Sequence, residues 1–188
     1  MVTINKNIPN IITFSRIILI PVFLYFIING YSKTPFDFLY VSIGIAIFVI
    51  LALTDKVDGV IARRYNLVSK TGKFVDPVAD KCLMICGLGV LVAYNKLHIS
   101  IAIILIVREF FITAFRLVWI GKKNIVIPAD NLGKAKTVLF FVICSFAFLP
   151  NFDQEVNNIL FLLVVLVSVV SCIRYVIEAI KKDKNAKR

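Results

Sequence analysis

The chain has 188 residues, 60% hydrophobic and only 18% charged, with a mean hydropathy of +0.90 and a net charge of +11. A soluble domain of this length needs far more polar surface, so composition excludes an ordinary soluble globule and points to an all-α bundle with lipid as its outer solvent. Nucleic-acid binding is excluded by where the positive charge falls: in short loops and at the chain ends, between apolar runs, as on the cytoplasmic face of a membrane protein.

A bilayer crossing needs about 20 mostly apolar residues. The first qualifying stretch runs from Ile11 to Asn29 and stops at Asn29-Gly30. No small-residue cleavage site follows it, so it is expected to remain as a membrane segment. The second begins at Phe36, stays apolar to Leu53 and continues with helical patterning into Arg63-Arg64. The third covers residues 74–94, the fourth 99–120, the fifth 131–150 and the sixth 156–180. The predicted fold is a polytopic six-transmembrane-helix bundle, one domain over residues 1–180, with a solvated basic tail at 181–188.

Lysine and arginine set the orientation. Six spans put both termini on one side. That side collects Lys6, Arg63, Arg64, Lys70, Lys73, Lys122, Lys123, Lys134, Lys136 and the basic tail, whereas the opposite loops hold Lys33 and Lys96. Both termini are therefore expected in the cytoplasm. The cysteines, Cys82, Cys86, Cys144 and Cys172, fall in apolar segments with no histidine beside them to complete a zinc set, and read as small buried apolar residues.

The main signal lies between the second and third runs. Asp55 and Asp58 are three apart and share a helix face, with Gly59 and Ala62 one turn on. Gly72, Asp76 and Asp80 then recur at i, i+4 and i+8. Two antiparallel helices can aim two carboxylates each at one point, and the small residues leave room for a ligand. Charges in membrane segments are costly and mark function by default. Four like charges repel unless hard divalent cations intervene, and carboxylate oxygens suit Mg²⁺ or Mn²⁺. Two such ions can bridge a pyrophosphate. Helix capping accounts for any single aspartate, Asp76 before Pro77 above all, but not for four at this spacing. A divalent-cation transporter would also use intramembrane carboxylates, near the midplane on broken helices and not beside a cytoplasmic turn.

The pattern D-x-x-D-G-x-x-A-R, eight residues, then G-x-x-x-D-x-x-x-D resembles the signature of the CDP-alcohol phosphatidyltransferase family. Asp55, Asp58, Gly59, Ala62, Arg63, Gly72, Asp76 and Asp80 match it without gap or substitution. The resemblance implies a membrane enzyme that moves a phosphatidyl group from a CDP-linked lipid to an alcohol, by in-line attack at the β-phosphorus with release of CMP. It implies that Asp55, Asp58 and Asp76 hold two divalent cations. Asp80 would touch the same metal site and take the proton of the acceptor hydroxyl. Gly59, Ala62 and Gly72 would border the nucleotide, Arg63 would pair with a phosphate or brace the turn, and the protein would be a homodimer.

The fourth run carries Arg108, Glu109 and Arg116, and the fifth opens with Lys134 and Lys136 in G-K-A-K-T. A set of cations beyond the metal centre suits an acceptor that is itself anionic. The plainer alternative pairs Arg108 or Arg116 with Glu109 and leaves the lysines to mark the cytoplasmic side. Lys134 and Lys136, two apart, are not expected both to point into one pocket. R-E-F-F-I-T-A-F-R, G-K-A-K-T and residues 7–23 are similar to the bacterial phosphatidylglycerophosphate synthase branch of the family. That similarity implies CDP-diacylglycerol and sn-glycerol 3-phosphate as substrates. Phosphatidylinositol-phosphate, phosphatidylserine and cardiolipin synthases are the alternatives within the family.

Overall fold

The computed structural model describes residues 8–33, 35–64, 72–123 and 131–186, with side chains placed for 18–33, 35–54, 81–115, 133, 135–181 and 183. Six helices and no strand are present among them: α1 (Ile8–Ser32), α2 (Phe38–Arg64), α3 (Gly72–Ala93), α4 (Ile99–Lys123), α5 (Asn131–Ala147) and α6 (Gln154–Ala186). Helices satisfy every interior backbone group within one segment, which suits runs of Leu, Ile, Val and Phe that find no hydrogen-bonding solvent around them.

The ends have local causes. Asp37 caps α2, its Oδ1 accepting the Tyr40 N–H at 3.3 Å and its carbonyl the Val41 N–H at 3.2 Å. Asn95, at φ 54°, takes the left-handed conformation that stops α3, and asparagine tolerates that conformation better than most residues. The fifth helix ends at Ala147, before the expected Pro150. Its last turn tightens through a Leu149 N–H to Phe146 carbonyl bond of 2.9 Å, and the residue before a proline is biased away from helix. The sixth runs past Ile180 to Ala186.

The chain packs as two compact units, Met1–Tyr94 and Asn95–Arg188. In the first, α1 is the hub, packed against both α2 and α3. Phe23 and Phe48 meet across α1 and α2 with ring centroids 5.2 Å apart, and both are fully buried. Two glycines let these helices approach. A Cβ on Gly44 would lie 2.6 Å from the Ile27 side chain, and one on Gly30 would lie 3.0 Å from the backbone nitrogen of Val41.

In the second unit α6 is the hub, packed against both α4 and α5. Its inner face holds Asn157, Phe161, Val164, Ser168, Ser171, Tyr175 and Ala179, all buried, at steps of three and four residues. Its outer face, one heptad apart, exposes Ile159, Leu166, Ile173 and Ile180. Asn157, Ser168, Ser171 and Ala179 on the inner face, with branched aliphatics outside, is an arrangement that suits a helix solvated by lipid. Among the described residues, Gln154–Lys181 is long and apolar enough to cross a bilayer, while Ile18–Ser32, Phe38–Thr54, Lys81–Ala93 and Ala135–Ala147 are apolar but shorter. The cysteine expectation holds for buried Cys144 and fails for Cys82, which is exposed on α3, a placement that an apolar surface solvated by lipid permits.

Candidate functional site

The aspartate motif straddles the end of α2 and the start of α3. Asp55, Asp58, Gly59, Ala62 and Arg63 occupy the last turns of α2, and Gly72, Asp76 and Asp80 the first turns of α3. The motif is thus carried by two consecutive helices of one unit, which pack against each other. The side chains of these eight residues lie outside the described residues, as do those of Arg116 in α4 and Lys134 in α5. Among the described residues no three His, Cys, Asp or Glu side chains come together as a metal site.

In the second unit the structure joins three charged groups at one atom. Arg108 Nη1 donates to Glu109 Oε1 at 2.7 Å, and Lys136 Nζ of α5 donates to the same Oε1. The other side of the guanidinium is fixed by α6: Arg108 Nε and Nη2 both donate to the carbonyl of Ser168, at 3.1 and 2.9 Å. The Arg108 and Lys136 side chains are 12% and 10% exposed, so the charges are set into the helix packing. Ile112 lies one turn on from Arg108 and Glu109, packed with Tyr175, Ala179, Phe115 and Cys172 into an apolar floor.

Arg108 therefore pairs with Glu109, the plainer of the two sequence expectations. Sequence spacing offered no signal for Lys136 as the second partner, because Glu109 lies 27 positions away on a different helix. Nor could it reveal a mid-helix carbonyl, that of Ser168, as the anchor of the guanidinium.

The helix-connecting turns also hold charges of a structural kind. Lys33 Nζ lies 3.0 Å from Asp37 Oδ2 and 3.7 Å from the centroid of the Tyr40 ring. The hydrogen bond between them holds the lysine above and the carboxyl below their ordinary values. Lys96 Nζ donates to the carbonyls of Leu149, Pro150 and Phe152, at 3.4, 3.1 and 2.7 Å, tying the turn before α4 to the turn between α5 and α6. Burial pushes this ammonium below the usual lysine value, partly offset by Asp153.

Comparison with known proteins adds a lineage. The chain matches the CDP-alcohol phosphatidyltransferase family over residues 6–170, which takes in both units and the whole aspartate motif. It is 38% identical over 160 residues to the CDP-diacylglycerol–glycerol-3-phosphate 3-phosphatidyltransferase of Bacillus subtilis, covering 79% of this chain and 80% of that protein. The enzyme of the same name from Rickettsia felis is 34% identical over 138 residues, 72% of this chain and 71% of its own length. A probable phosphatidylglycerophosphate synthase of Mycobacterium tuberculosis is 34% identical over 144 residues, covering 77% and 66%.

Proposed function

Because the chain belongs to the CDP-alcohol phosphatidyltransferase family, we propose that it transfers the phosphatidyl group of CDP-diacylglycerol to sn-glycerol 3-phosphate. The products are phosphatidylglycerol phosphate and CMP. The carrying observation is that relatives matched over more than two thirds of both chains are named for this reaction. The unbroken motif from Asp55 to Asp80 and the surplus of cations on α4 and α5 support the same reading.

Members of the family generally depend on a divalent cation. Four carboxylates on the facing ends of two consecutive helices are the donor set that Mg²⁺ or Mn²⁺ prefers, so the residues fit the ion. Asp55, Asp58 and Asp76, with Asp80, would hold two cations. When bound, these supply positive charge to the pyrophosphate and to the oxygen on which CMP leaves.

The remaining work falls to the chain. Asp80 takes the proton from the acceptor hydroxyl as that oxygen attacks the β-phosphorus. An ordinary carboxyl with a pKa of about 3.9 is a weak base, so alignment must supply much of the rate. Gly59, Ala62 and Gly72 leave space for the nucleotide, and Arg63 pairs with its phosphate or braces the turn. Arg108, Arg116, Lys134 and Lys136 are the candidates to hold the acceptor's phosphate, with Lys136 the lysine that enters the pocket; a neutral alcohol would not require them. In the same reading the six helices cross the membrane with both termini in the cytoplasm, and the enzyme works as a homodimer. The apolar outer face of α6 supports the membrane setting.

The test is CMP release by the purified chain with CDP-diacylglycerol, with and without Mg²⁺ or Mn²⁺, against glycerol 3-phosphate, inositol phosphate, serine and phosphatidylglycerol as acceptors. Preference for glycerol 3-phosphate is expected. Faster turnover with another acceptor would keep the family chemistry and reassign the substrate.

A further inference from the structure

We propose that Glu109 is a positioning residue for the acceptor: it holds the head groups of Arg108 and Lys136 at one point, where together they receive the phosphate. This rests on the reading that Lys136 contacts that phosphate. The observation behind it is the sharing of a single oxygen, since Glu109 Oε1 accepts from Arg108 Nη1 and from Lys136 Nζ. Arg108 is already oriented by its two bonds to the Ser168 carbonyl. Lys136 sits on a flexible four-carbon stem, and fixing such a side chain costs about 2 kcal/mol of rotamer entropy. The carboxylate meets that cost before substrate arrives, drawing the ammonium of α5 to the guanidinium of α4.

The cost of setting charges into helix packing favours this over a purely structural tie. A buried ion network is poor value as a stabiliser, because well-packed apolar side chains of similar volume usually serve as well or better. Ionisable groups held among membrane helices point to function by default.

The experiment is a double-variant cycle on the full chain, reading kcat and KM for each substrate alongside thermal unfolding. Glu109→Gln keeps the shape and an acceptor oxygen but removes the charge. It is expected to raise KM for glycerol 3-phosphate about tenfold, a loss of roughly 1.4 kcal/mol, with kcat and KM for CDP-diacylglycerol within about twofold of the parent. Lys136→Met should do the same, and the double variant should be no worse than Lys136→Met alone. Unchanged acceptor KM in Lys136→Met would remove Lys136 from the phosphate site, and the proposal with it. A rise in Lys136→Met without one in Glu109→Gln, or effects that multiply in the double variant, would overturn the positioning role and leave that of Lys136 standing. Because losing a negative charge by itself favours an anionic substrate, a lowered acceptor KM in Glu109→Gln would also overturn it. Equal losses across both substrates and kcat would make the residue structural. Should Glu109→Gln unfold, Glu109→Asp carries the test: its shorter arm retains the charge, and an intermediate acceptor KM is expected, parental values counting against the proposal.

Discussion

Arg108 places two N–H groups, Nε at 3.1 Å and Nη2 at 2.9 Å, on one backbone oxygen, that of Ser168. A planar guanidinium can fork in this way and an ammonium cannot. Arg108→Lys should therefore loosen α4 from α6 while keeping the charge beside Glu109. Hydrogen bonds to charged groups are worth about 1.5–3 kcal/mol in water-soluble proteins. Polar contacts between membrane helices average nearer 0.6 kcal/mol, because the separated helices find other partners. In the membrane setting proposed above the smaller scale applies, so a loss of about 1 kcal/mol is expected. It would register as a lowered Tm in detergent, and an unchanged Tm would show that Ser168 does not anchor the arginine.

Asp80→Asn should cut kcat by about 10²–10⁴, the usual range for a positioned general base. Binding of CDP-diacylglycerol, followed by equilibrium titration, should persist, because Asp55, Asp58 and Asp76 remain. Near-parental turnover would end the assignment of Asp80 as the base.

Arg116→Ala should raise KM for glycerol 3-phosphate about tenfold or more, since a charge-assisted bond of about 1.5–3 kcal/mol is lost. KM for CDP-diacylglycerol should move much less. Equal movement of the two would place Arg116 away from the acceptor.

The helices were legible because their cause is local. Apolar runs bounded by polar turns put α2 at Phe38–Arg64 and α4 at Ile99–Lys123, close to the expected limits. The fold's pairing was not legible, since nothing in a uniformly apolar sequence says that α1 and α6 are the hubs, each packed against two neighbours. The same division runs through the site. Asp55 to Asp80 is a near-continuous string whose spacing declares it. The meeting of Glu109 with Lys136, and of Arg108 with Ser168, depends on which helix faces which, and no periodicity carries that.

The turn between α1 and α2 makes a pH prediction. Asp37 has a carboxyl held below its ordinary 3.8, so the folded chain releases that proton more readily than the unfolded one. Its contribution is fully present above 3.8 and is lost as pH falls through the lower folded value. Lys33 is held above its ordinary 10.5, so its share is present below that value and lost as pH rises through the higher folded one. Asp37→Asn should thus lower Tm in the neutral range, with the difference from the parent shrinking as pH falls below 3.8. A difference that stays constant into acid would mean that the charge of Asp37 does not carry the effect.

The two hubs sit at opposite ends of the chain, and that has a consequence for synthesis. In the first unit α1 is made first, so α2 and then α3 each emerge to find their partner waiting. In the second, α6 is made last. Among the described residues α4 and α5 make no backbone approach to each other, and both pack on α6. Until that helix leaves the ribosome, α4 must wait with Arg108 lacking its Ser168 carbonyl. The nascent second half thus assembles late, and a stop codon ahead of α6 would leave α4 and α5 without the helix both pack on, where the same truncation spares the hub of the first.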